Sequence, residues 1–274
     1  MNNYQMLYSE IGLTSEIIGL ATGAIEIPNC STEQPARCYG YPPALIPFWS
    51  DPDGMIYTGL WKHWFGDRTP CFVKNYVNVF YRSKEISRSP EQLLRYLINI
   101  EISLAEEISP EILSFAQTLG VRDIALIDEI SQTHGDAPRG LLNLPDFFQN
   151  APLSCFSDPS TYSGDFPHIA MKLTSDSMRN TCSLELNETI ENTIRAHEDC
   201  PMWYNNYKKT ELFSFFMDQE RLAEAWFTLN SNGWLFADVY KALERLASAH
   251  DDPIFHMMVS AWCSKDQGRY KIGY

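Results

Sequence analysis

The chain has 274 residues, of which 45% are hydrophobic and 20% charged, a globular profile with enough apolar content for a substantial core. Its formal net charge is −14, spread along the chain: positions 1–150 hold 18 acidic and 10 basic residues, and the remainder 17 and 11. Such a surface repels nucleic acid, which needs clustered Lys and Arg, and suits a basic protein partner.

No run of 18 apolar residues occurs, so no transmembrane helix or membrane insertion is expected. The opening MNNYQMLYSE lacks the basic-then-apolar pattern of a secretory signal. Seven cysteines without a C-x-x-C argue against a disulfide framework or zinc site, and for reduced thiols in a cytoplasmic protein.

Residues 4–22 predict a helix on Leu7, Ile11, Ile17, Ile18 and Ala21, broken near Gly12 and ended by Gly23. A loop from Pro28 to Pro43 leads into three strand-like runs, LIPFW, MIYTGLW and CFVKNYVNVFY, rich in β-branched and aromatic residues. Asp51-Pro52-Asp53-Gly54 reads as a type I turn between the first two, and GDRTP at 66–70 joins the next pair. Ser89-Pro90-Glu91-Gln92 starts a helix that runs to about Glu107 and buries Leu94, Leu97, Ile98 and Leu104. Ser109-Pro110-Glu111 starts another, ended by Gly120, and a third is expected over 122–133.

Residues 135–183 are irregular, with FPHIAMKLTS at 166–175 a candidate strand. Helical patterns follow at 184–197, 210–229 and 235–249. A last helix, capped by Asp252-Pro253, carries Ile254, Met257, Met258, Ala261 and Trp262 on one face. Strands early and helices late predict an α+β fold, with a mainly antiparallel sheet in the N-terminal half and a helical C-terminal portion. The expected organisation is an α+β domain with an aromatic-rich sheet at 1–134, a connecting segment at 135–183 and a mainly helical region at 184–274.

No nucleotide-binding glycine motif, nucleophile elbow or metal-binding His pair occurs, so no catalytic residue, metal or cofactor is assigned. Asp51 and Asp53 begin like a calcium loop, but the later oxygen ligands are missing. Tyr57, Trp61 and His63 share one face of a strand and form a candidate pocket. His63 there reads either as a general base or as a packed ring among aromatics. No carboxylate partner stands near it in sequence, so packing is preferred.

The sharper feature is acidic. No Lys or Arg occurs between Arg95 and Arg122, and that window holds Glu101, Glu106, Glu107 and Glu111, with Asp128 and Glu129 soon after. Consecutive helices with such a face form a candidate docking surface for a basic partner.

Tyr39-Gly40-Tyr41-Pro42 leads into Leu45-Ile46-Pro47-Phe48-Trp49, a turn with Gly54 and YTGLWKHWF, and SKEISRSPEQLLRYL follows. Over roughly residues 39–98 this resembles the SUKH superfamily, α+β bacterial proteins of which many are immunity proteins encoded beside toxins. The resemblance implies action by binding, with no catalytic residues. The leading expectation is a cytoplasmic immunity-type protein that neutralises a bacterial toxin, for example a basic nuclease. The rivals are an enzyme or small-ligand-binding protein using the pocket near Trp61 and His63, and an adaptor or regulatory protein without a toxin partner.

Overall fold

In the computed structural model, which describes residues 3–30, 32–33, 40–167, 173–205, 207–264 and 272–274, Asp51–Gly54 reverses the chain as its residues predict. The Gly54 N–H donates to Asp51 O at 2.9 Å. Asp51 Oδ1 accepts from the Met55 and Ile56 N–H groups at 2.7 and 3.0 Å, so this carboxylate shapes the turn. Around the turn pair strands β1 (Leu45–Ser50) and β2 (Ile56–Trp61). Then β3 (Cys71–Tyr76) and β4 (Arg82–Ser87) complete an antiparallel meander in the order β1-β2-β3-β4. Gly59 sits where β2 presses on β1: a Cβ there would lie 2.3 Å from Ile46 O. Only glycine fits such a backbone approach. Trp49 and Trp61 are buried in this sheet.

The third strand-like run departs from expectation. It ends at Tyr76; Val77–Val79 form a 3-10 turn, and Phe80 and Tyr81 adopt φ of +54° and +56°. The buried Asn75 amide donates to Tyr81 O and to Ser83 Oγ, fixing the turn from inside. β4, RSKEIS, carries too few β-branched residues to be read as a strand and owes its state to pairing with β3.

Helix α1 (Asn3–Glu10) and α2 (Ser15–Thr22) break at Gly12 and stop at Gly23, both at positive φ. Helix α3 (Pro90–Ala105) is capped by Ser89, which accepts from Gln92 N at 3.2 Å. It stops two residues short of Glu107, with Glu106 at φ +61°, and Leu104, expected in the core, is exposed. Helices α4 (Pro110–Thr118) and α5 (Ile124–His134) pack on α3.

Residues 135–183 are irregular in backbone, with short helices α6 (Pro145–Gln149) and α7 (Ser175–Arg179) among 3-10 turns. Their side chains are nonetheless core: Leu141, Phe147, Leu153, Phe166 and Met178 are buried. The 3-10 turns at Leu153–Cys155 and Ser183–Glu185 both close on β4. Cys38, Tyr39, His168 and the middle of the candidate strand at 166–175 lie outside the described residues.

Helices α8 (Glu188–Arg195), α9 (Lys209–Asp218), α10 (Leu222–Leu229), α11 (Phe236–Ser248) and α12 (Pro253–Cys263) form the C-terminal portion. The single helix expected over 210–229 is two. The polar run Asp218-Gln219-Glu220-Arg221 interrupts the apolar period, Glu220 takes φ +57°, and α10 folds back on α9. On α12 the buried face is Phe255, Met258, Val259, Ala261 and Trp262, with Ile254 and Met257 only partly covered. α12 packs on α1, and the Trp262 indole N–H donates to Tyr41 O at 3.2 Å. One contiguous apolar cluster thus runs from Tyr4 to Tyr274.

Candidate functional site

His63 lies just past the end of β2 and is buried. Its Nδ1 accepts from the Trp226 indole N–H at 2.9 Å, which puts the ring proton of the neutral imidazole on Nε2. Nε2 then donates to Glu185 Oε1 at 2.8 Å. The Trp61 indole N–H also reaches Glu185 Oε1, at 2.9 Å. Trp61 lies 3.2 Å from His63 Nε2 as well, but that nitrogen is already committed as a donor. Arg68 Nη1 donates to the same carboxylate oxygen, and the Cys182 backbone N–H donates to Oε2 at 2.8 Å. The ring of Phe227 flanks the imidazole, with centroids 4.9 Å apart.

The electrostatics follow from these contacts. Burial pushes the Glu185 carboxyl up, but Arg68, His63 and the Cys182 N–H outweigh it and hold the group at about 2. Burial pushes His63 below its ordinary value against the pull of Glu185, so the ring is neutral at physiological pH. Burial likewise holds the Cys182 thiol well above its usual range, with Glu185 adding to the effect.

His63, Cys182 and Glu185 offer ligand-type atoms within 4.8 Å of one another. As a metal centre the set fits poorly. The Arg68 guanidinium already neutralises the carboxylate, the thiol resists ionisation, and both imidazole nitrogens are occupied. His63 is equally unsuited to be a general base, because the basic nitrogen faces the Trp226 N–H. The cluster chemically does one thing: it ties the end of β2 to the segment before α8 and to α10. His250 and His256 meet through a backbone contact, His256 Nε2 to His250 O at 2.6 Å.

Of the candidate pocket residues, Trp61 and His63 are therefore neighbours in a closed core, and Tyr57, also buried, packs edge-on against Tyr41. Sequence reasoning missed Glu185, Arg68, Cys182 and Trp226. The carboxylate that His63 lacked locally arrives from 122 residues away. The one local signal was a glutamate alternating with leucines in CSLELN.

The acidic residues divide. Glu101 is buried on α3 and accepts from Asn29 N at 2.8 Å, apart from the surface. Glu106 and Glu107 are exposed in the α3–α4 loop, Glu111 in the first turn of α4, and Glu129 on α5 beside the half-buried Asp128. Gln132 Nε2 links the two sides, donating to Glu106 O (3.3 Å) and Asp128 Oδ1 (3.5 Å). Among the described residues none of these five is ion-paired with Lys or Arg. The same elements leave Leu104, Leu113 and Leu126 exposed.

No protein-family model matches the chain, and comparisons with curated proteins and with solved structures find no match. Among the described residues no helix is long and apolar enough to cross a membrane.

Proposed function

We propose that this chain is a cytoplasmic immunity-type protein that neutralises a bacterial toxin, for example a basic nuclease, by binding it. The observation that carries the reading is the face built by the α3–α4 loop, α4 and α5. Among the described residues Glu106, Glu107, Glu111, Asp128 and Glu129 have no Lys or Arg partner, and Leu104, Leu113 and Leu126 break the charge with exposed apolar surface. Unpaired acids steer a basic partner, and exposed leucines supply the area that holds it. The resemblance of residues 39–98 to SUKH-type proteins supports the same reading, as does the closed packing around Trp61 and His63.

The test is survival. The open reading frame adjacent to the gene is expressed in a bacterial host with and without this chain. The chain is expected to rescue growth and to bind the purified product, with an on-rate that falls as added salt shortens the screening length from about 10 Å to about 3 Å. Glu106→Lys with Glu107→Lys should slow association and weaken rescue at unchanged melting temperature. A harmless neighbour, or rescue indifferent to the double reversal, overturns the reading. An adaptor would bind without any growth phenotype.

A further inference from the structure

Between the outer strand β4 and helix α8 lies a cavity of about 620 Å³ that neither the acidic face nor the His63 cluster uses. Its charge is unlike that of the protein around it. Arg82, Lys84 and Arg195 meet at its walls against only Glu188 and Glu191. Glu191 bridges the two arginines, accepting from Arg82 Nη2 and Arg195 Nη2 at 2.6 Å each. Arg82 also donates to Ser183 O and Leu186 O, so it is a fixed part of the floor. Arg195 stays 41% exposed, and Lys84 is exposed with no ion pair among the described residues. Three cations against two carboxylates leave an excess of one positive charge, and Lys84 is the cation that no carboxylate holds among the described residues.

The rim is apolar. Phe80 is 74% exposed, held there by the left-handed turn that buries the Tyr81 ring beneath it. Tyr76 and Val79 line the same side. At the cavity Asn232 has an Oδ1 that is shut from solvent and has no hydrogen-bond partner among the described residues. Asn187 uses its own Oδ1 to cap α8, which leaves its amide N–H group available.

We infer that this cavity binds a small anionic ligand carrying a flat ring, of the nucleoside monophosphate class. The ring stacks on Phe80, the phosphate sits between Arg195 and Lys84, and an acceptor on the base or sugar takes the Asn187 side-chain N–H. The volume lies within the range of small-ligand sites, and a planar aromatic with convergent cations and amides is what a ring with one phosphate needs. A single nucleotide escapes the overall charge repulsion that disfavours a nucleic-acid strand, because its one phosphate meets a local excess of cations.

The test is calorimetric titration of the full chain with each of the four common ribonucleoside monophosphates, with inorganic phosphate and adenosine as separate arms. At least one nucleotide is expected to bind below about 1 mM, and phosphate or adenosine at least about tenfold more weakly. Phe80→Ala and Lys84→Ala remove exposed side chains, so both variants should keep the wild-type melting temperature. Each should weaken nucleotide binding by about tenfold, the scale of one lost stacking or charge contact. Absence of binding by all four at about 5 mM, equal affinity for inorganic phosphate alone, or affinity unchanged in both variants overturns the inference.

Discussion

Glu185 and Glu85 are both fully buried, yet one titrates at about 2 and the other at about 7. Burial pushes each carboxyl up, so the difference lies in what surrounds them. Glu185 accepts from Arg68, His63, Trp61 and the Cys182 N–H. Glu85 accepts from the Leu153 N–H at 2.6 Å and the Tyr162 hydroxyl at 2.7 Å, both on Oε2. Among the described residues its Oε1 has no hydrogen bond, and Arg88 Nε stands 3.7 Å away. A dry site therefore does not by itself decide a charge state. A guanidinium in direct contact does, and neutral donors on one oxygen do not replace it.

The largest effect expected from this contrast is at Glu185. Glu185→Ala takes the carboxylate from the half-buried Arg68, leaving it Asn180 O at 3.2 Å, and should cost about 3 kcal/mol in urea unfolding. The carboxylate also sets an acid limit. Its folded value is depressed, so its stabilisation is present above about pH 4.5 and is lost as pH falls towards 2. Depressed His63 acts in the same direction, from its unfolded value of 6.5 downwards. The wild-type melting temperature should accordingly fall with acidification below about pH 4.5, whereas between about 7 and 4.5 the raised Glu85 offsets the loss at His63. A loss below about 1 kcal/mol in the variant would mean that Arg68 finds another partner and that the contrast is not one of direct ion contact.

Next in size is His63→Gln. Both ring nitrogens are bonded, so the change should lower stability by about 1–2 kcal/mol. Partner binding should stay within about threefold, or under about 0.7 kcal/mol. Any turnover that this substitution abolished at constant melting temperature would instead make His63 catalytic.

The remaining effect carries the opposite sign. Glu85 has a raised folded value, so its contribution is full below about pH 4.5 and is lost as pH rises through 7. Glu85→Gln removes that slope. Melting curves should show the variant near wild type at pH 5 and more stable at pH 8.5. A constant difference across this range would show Glu85 ionised throughout and erase the contrast with Glu185.

How much of this was legible in the sequence depended on distance along the chain. The DPDG turn, the Ser-Pro helix starts and the Gly12 and Gly23 stops are settled by neighbours within four residues, and they read correctly. β4 was missed because its strand state comes from β3, and the α9–α10 break because a charged run, not glycine, makes it. Leu104 was placed inside because helical spacing cannot tell that Glu106 ends the helix and leaves its last turn in solvent. The His63 cluster draws on residues 61, 68, 182, 185 and 226, and no local spacing connects them. The acidic window was visible as composition, but the burial of Glu101 depends on a bond to Asn29 across the fold.

The separation between His63 and Glu185 also has a consequence during synthesis. The four strands are complete at Ser87, and each pairs with the strand before it in the chain. Arg68 and His63 are then already in place at the end of the sheet, but their acceptor has not been translated. Until residue 185 leaves the ribosome, that end must stay wet, because closing it dry would strand a guanidinium. A sheet that pairs as it emerges would therefore stay open at that end for about a hundred residues, with the guanidinium in water.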